Sequence, residues 1–143
     1  MRFEKTDGGR CCTDLPQGDH GDCAVRAVTI ATNDFYSLVY KEVEDFCKTE
    51  PLTHGRKKHG RSSVDSGVYR SSLMRFFRKK GFLWVPAYKF GELTRWKLRS
   101  EDLPMGRLIV SMYGHVAAVI DHTLYDNCDR RGKCVYGYWH LPS

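Results

Sequence analysis

Residues 18–32 read Gly-Asp-His-Gly-Asp-Cys-Ala-Val-Arg-Ala-Val-Thr-Ile-Ala-Thr. A glycine-punctuated polar approach gives way at Cys23 to ten residues, CAVRAVTIAT, that are apolar on nearly every side, with Arg26 the only charge. A segment apolar all round is a buried helix rather than a surface one. The spacing therefore predicts a buried helix over 23–32, and it places the Cys23 thiol at the helix N-terminus. Unpaired N–H groups and the helix dipole stabilise a thiolate there, lowering a pKa of about 8.5. A cysteine can also open a helix for packing alone, so position by itself leaves both readings open.

Before this helix, residues 1–20 hold several Gly and Pro and read as an extended, irregular lead-in. After it, Asn33–Asp34 offers an N-cap to a second helix running to about Lys48, with Leu38, Val39, Val43 and Phe46 as its apolar stripe. Residues 50–66, EPLTHGRKKHGRSSVDS, are almost without apolar side chains and read as an exposed basic loop. A third helix is expected from about Val68 to Lys80, with Tyr69, Leu73, Phe76 and Phe77 on one face and Gly81 placed to end it.

From residue 82 the period changes. FLWVPAY (82–88), RLIVSMY (107–113), HVAAVID (115–121), LYDNCD (124–129) and KCVYGYWH (133–140) are short aromatic and β-branched runs separated by turn signals. They predict an antiparallel meander. Helices followed by strands make one α+β domain over residues 1–143, with N-terminal helices packed on a C-terminal antiparallel sheet.

The chain has 143 residues, 41% hydrophobic and 13% aromatic, with 23 Lys+Arg against 17 Asp+Glu. This composition excludes a disordered chain, and no apolar run approaches the roughly 20 residues that cross a bilayer. The start, MRFEKTDGGR, lacks the apolar core of a secretory signal, so a cytoplasmic location is expected. The six cysteines (Cys11, Cys12, Cys23, Cys47, Cys128, Cys134) then read as reduced thiols rather than three disulfides.

In the run 115–121, Val116, Ala118 and Ile120 lie on one face and His115, Ala117 and Val119 on the other. Both faces are small or apolar, so the strand is central and His115 sits at its tip. With a thiol already placed at a helix N-terminus, a thiolate–imidazolium pair is the reading that uses both residues. Strand register selects a third member. If Asp121–His122 is a two-residue turn, Ile120 pairs with Thr123, and Asp126 becomes the diagonal neighbour of His115 on the same face. Asn127 would then point away, although a turn one residue different would exchange the two.

Gly-Asp-Cys-Ala-Val-Arg-Ala (21–27) resembles the nucleophile motif of papain-like cysteine peptidases, and Gly114-His115-Val-Ala-Ala-Val resembles their histidine motif. The first is most similar to ovarian-tumour-type deubiquitinases and to small phage and bacterial members of the superfamily. The resemblance covers about residues 17–32 and 107–140. It implies a papain-like fold and a thiol hydrolase or transferase acting on an amide, isopeptide or thioester bond of a protein or peptide. If the chain is phage-encoded, as some of these members are, it implies action on a host protein in the host cytoplasm. Cys23 would be the nucleophile, His115 the general base and acid, and Asp126 the orienter. Gln17, six residues before Cys23, resembles the glutamine that helps form the oxyanion hole. Deubiquitinases of this type carry Asp three residues before the cysteine, where this chain has His20.

Two other readings compete. Cys11, Cys12, His20 and Cys23, with Cys128 and Cys134, are zinc-ligand types, but none has C-x2-C spacing. His54 and His59 read as solvated. No metal and no cofactor is assigned. Between His54 and Lys80 lie nine Lys/Arg and one acid, a local charge of +8 within a chain of +6. That region (Arg56, Lys57, Lys58, Arg61, Arg75, Arg78, Lys79) suits an acidic protein surface or nucleic acid, and it supports the alternative of a non-catalytic binding or inhibitor protein.

Overall fold

The computed structural model describes residues 1–15, 21–50, 62–64, 67–87 and 96–142. Helices α1 (Cys23–Thr32), α2 (Tyr36–Cys47) and α3 (Arg70–Lys79) pack on one face of a six-stranded sheet. Its strands are β1 (Arg2–Lys5), β2 (Leu83–Pro86), β3 (Arg107–Met112), β4 (His115–Ile120), β5 (Thr123–Asp126) and β6 (Gly137–Leu141), in the spatial order β1-β5-β4-β3-β6-β2. The class is α+β. The sheet, however, is mixed: β1 runs parallel to β5, while the other pairs are antiparallel.

Two expectations are corrected here. The lead-in is not irregular throughout, because Arg2–Lys5 forms an edge strand and Arg10–Cys12 a 3-10 turn. RFEK has little apolar alternation to announce a strand, and its backbone pairing with β5 decides the matter. The C-terminal strands are also not a simple meander, since β6 returns to pair with β3, and β2 lies outside β6.

α1 spans the expected residues and buries Ala24, Val25, Arg26, Ala27, Val28, Thr29 and Ala31. Asn33 ends it rather than starting α2. It takes a left-handed conformation at φ 60° and its N–H bonds back to the Thr29 and Ile30 carbonyls, a C-cap that Asn tolerates because of its short polar side chain. α2 starts at Tyr36 with no side-chain cap, and it buries Tyr36, Val39, Val43 and Cys47. Leu38, expected in the stripe, is half exposed, and Phe46 packs edge-on against Phe76 at 5.5 Å. α3 ends as expected at Gly81, whose φ of +97° favours glycine.

The exposed-loop expectation fails at the described ends of that segment. Glu50, Ser62 and Val64 are buried. Glu50 accepts the Ser62 N–H at 2.6 Å and the Ser62 hydroxyl at 2.7 Å, and it also bonds the Ser72 hydroxyl. Residues 51–61 and 65–66 lie outside the described residues.

Period two in β4 splits the core. Val116 and Ala118 join the cluster beneath the helices with Val25, Val28, Phe77 and Trp139. Ala117 and Val119 join a second cluster on the other face with Leu98, Leu108, Val110, Leu124 and Tyr138. A strand apolar on both faces is central, and β4 lies between β5 and β3. Asp121 and His122, at φ 48° and 65°, form the two-residue hairpin turn, so Ile120 pairs with Thr123 and Ala118 with Tyr125.

Candidate active site

α1 packs against β4, which brings its N-terminal residue Cys23 to the end of the strand where His115 begins. The thiol and the imidazole line the same cleft, and each shifts the pKa of the other. His115 Nε2 lies 2.7 Å from Asp126 Oδ2, leaving Nδ1 as the ring nitrogen for the sulfur. Asp126 ends β5 and is 3% exposed. Its Oδ1 accepts the Asn127 N–H at 2.7 Å, and its Oδ2 accepts Arg130 Nη1 at 2.8 Å. Asn127 does not hold His115; its side-chain oxygen accepts from Arg130 at 3.1 Å.

The surroundings oppose and then reverse the cost of burying these charges. Burial alone would raise the Cys23 pKa. The neighbouring His115 ring and Val116 N–H, together with the charges of His115 and Arg26, bring it below the ordinary thiol value. For His115 burial acts downward, and the bonds and charges of Asp126 and Cys23 raise it above the ordinary value. Burial would raise Asp126, but the His115 bond and charge, the Asn127 N–H and the Arg130 charge hold it low. All three shifts favour thiolate, imidazolium and carboxylate. Elsewhere the balance differs: Cys47, buried near Glu50 and Glu44, is pushed up to about 11.

Beneath the site lies a second network that the sequence did not announce. Asp22, directly before Cys23, is 2% exposed and makes no side-chain cap bond to α1. Its carboxylate instead pairs with Arg10 at 3.3 Å, forms an ion pair with Arg26 and accepts the Tyr36 hydroxyl. Arg10 gets there because the preceding turn packs tightly on α1. A Cβ on Gly8, at φ +74°, would lie 3.3 Å from the Arg26 Cα. Arg26 also reaches Asp126 at 3.9 Å, tying the two carboxylates together. The one available signal was Arg26 itself, since a charge inside a buried helix requires a partner. Arg130 gave none.

Three concave spaces meet at His115. One of about 460 Å³ is lined by Cys23, Val68, Leu73, Met112, Tyr113 and Tyr136, among others. A second, about 370 Å³, includes Gly21, Cys23, Arg26, Asn127 and Arg130. The third, about 360 Å³, includes Tyr113, Arg130, Lys133 and Cys134. Cys23 is half-buried between the first two.

Gln17 and His20 lie outside the described residues, as do Arg56, Lys57, Lys58 and Arg61 of the basic region. The remaining cations of that region are exposed on α3 but lie over aromatic rings. Arg75 and Lys79 are 5.1 and 5.6 Å from the Phe46 ring centre, and Arg78 is 5.8 Å from that of Trp139. Of the thiols named as zinc-ligand types, Cys11 and Cys12 are exposed with sulfurs 3.8 Å apart, and Cys128 and Cys134 are exposed. Among the described residues no three His, Cys, Asp or Glu side chains are grouped as a metal site requires. No described helix is long and apolar enough to cross a membrane.

No protein-family model matches the chain, and no curated protein or solved structure is significantly similar to it.

Proposed function

We propose that the chain is a papain-like cysteine hydrolase or transferase acting on an amide, isopeptide or thioester bond of a protein or peptide. The observation that carries this reading is that Cys23, at the start of α1, shares a cleft with His115, whose Nε2 lies 2.7 Å from Asp126 Oδ2; the lowered thiol pKa and raised imidazole pKa agree with it. Paired shifts of that sign at a cleft suit a nucleophile and its base.

In this reading the Cys23 thiolate attacks the carbonyl carbon, and the carbonyl electron pair moves onto oxygen. Imidazolium His115 gives its proton to the leaving nitrogen as the C–N bond breaks, leaving a thioester on Cys23. For a thioester substrate the leaving sulfur takes that place. Water or an acceptor amine then attacks; His115 takes its proton, and the acyl–sulfur bond breaks to restore the thiolate. Asp126 holds the ring in one tautomer and stabilises its cation. The developing oxyanion is served by the first-turn N–H groups of α1, left without a side-chain cap because the Asp22 carboxylate is turned to Arg10, Arg26 and Tyr36. Gln17 is the proposed side-chain donor.

An electrophilic thiol probe applied to the folded protein tests this. Labelling at Cys23, lost in Cys23→Ala with the circular dichroism spectrum unchanged, supports the assignment. Quantitative labelling at Cys47 or Cys128 with Cys23 untouched overturns it.

A further inference from the structure

The cavities that meet at His115 share a charge property. Arg26, Arg70, Arg130 and Lys133 line them, and no described lining residue is Asp or Glu. The buried carboxylates do not offset this. Asp22 is engaged by Arg10 and Arg26, and Asp126 by His115 and Arg130. Asp129, next to Arg130 in sequence, is held by Arg131 at 2.8 Å. Arg70 and Lys133 are exposed and meet no carboxylate among the described residues. Arg70 lines the cavity that holds Cys23, and Lys133 lines the neighbouring one, with His115 common to both.

An uncompensated cation at a cleft wall is more than a solvated surface charge, because a concave, partly apolar site concentrates the field on whatever enters it. We propose that the site takes a substrate carrying a carboxylate close to the bond attacked, and that Arg70 and Lys133 supply the attraction. The inference rests on the cysteine hydrolase reading and adds the charge of the substrate to it. A Glu or Asp side chain and a free chain terminus offer the same group.

The test compares iodoacetate with iodoacetamide on the whole folded chain. Each reacts as the Cys23 thiolate displaces iodide, and the modified peptide is quantified by mass spectrometry. Glutathione provides the reference for the ratio of the two rates. The expected result is a ratio at Cys23 at least about threefold above that of glutathione at low salt, falling by about half in Arg70→Gln and again in Lys133→Gln. A ratio equal to that of glutathione, or one that neither substitution moves, overturns the inference while leaving the nucleophile in place. Failure of both reagents at Cys23 overturns the hydrolase reading and the inference with it.

Competition then identifies the source of the carboxylate. Slowing of iodoacetamide by acetyl-glutamate amide but not by acetyl-glutamine amide assigns a side chain, and slowing by acetyl-glycylglycine but not by its amide assigns a terminus. Stronger protection by a single-stranded oligonucleotide than by either acid overturns the proposal in favour of nucleic acid.

Discussion

His115 Nε2 and Asp126 Oδ2 lie 2.7 Å apart, although eleven positions separate the two residues in sequence. The two-residue turn at Asp121–His122 makes this contact possible. It folds β5 back on β4 so that Asp126 comes to the same end of the sheet as His115. The contact ties the protonation of both groups to folding.

Stability should therefore depend on pH at both ends of the range. Asp126 is held below its ordinary value, so its contribution is present above about pH 4 and is lost as pH falls through the lower folded value. His115 is raised, so its contribution is complete below about pH 6.5 and is lost as pH rises through the higher folded value. Urea unfolding midpoints measured from pH 3 to 9 should show both slopes. Asp126→Asn should flatten both. A variant that keeps the wild-type profile would show that the pair carries no coupling.

Asp22 bears most on stability. Replacing it with Asn removes the buried carboxylate that Arg10 and Arg26 share. Breaking a buried ion pair from one side costs about 3–5 kcal/mol. The denaturant midpoint should drop accordingly. A loss below about 1 kcal/mol would mean that Asp126 or water takes over both guanidinium groups.

Glu50 closes the turn after α2 over residues 62–72. Glu50→Ala leaves the Ser62 N–H and the Ser62 and Ser72 hydroxyls without the carboxylate they now meet. Each buried group so stranded costs about 1–3 kcal/mol. Because Val68, Arg70 and Leu73 follow directly and line the Cys23 cavity, iodoacetate selectivity at Cys23 should fall together with stability. Full stability in the variant would contradict this role.

Cys47 should resist alkylation in the folded state. Burial, followed by the charges of Glu50 and Glu44, holds its thiol at about 11. In a neutral-pH time course with iodoacetamide it should react only on unfolding in urea, whereas Cys23 reacts while the chain is folded. Equal rates at the two positions would contradict the difference in environment.

Much of the site's placement was legible because it follows short-range rules. The run 23–32, apolar on nearly every side, fixed α1 and put Cys23 at its start. The turn at 121–122 set the register that puts Asp126, rather than Asn127, beside His115. What escaped depended on long-range pairing. Nothing in Arg2–Lys5 indicates a partner more than a hundred residues away, yet β5 makes it a strand. Arg10 and Tyr36 reach Asp22 only after the lead-in has packed on α1. Asn33 suits either end of a helix, and the chain used it to stop α1. Leu38 has the residue type of the stripe, but its position on α2 turns it to solvent.

His115, itself held by Asp126, brings the Cys23 thiol below its ordinary pKa. The most direct measurement is the pH dependence of iodoacetamide alkylation at Cys23 in the wild type, His115→Ala and Asp126→Asn. The expected midpoint in the wild type lies below the ordinary thiol value of about 8.5, and both variants should move it upward. A wild-type midpoint at or above 8.5, unchanged by either substitution, would contradict the claim.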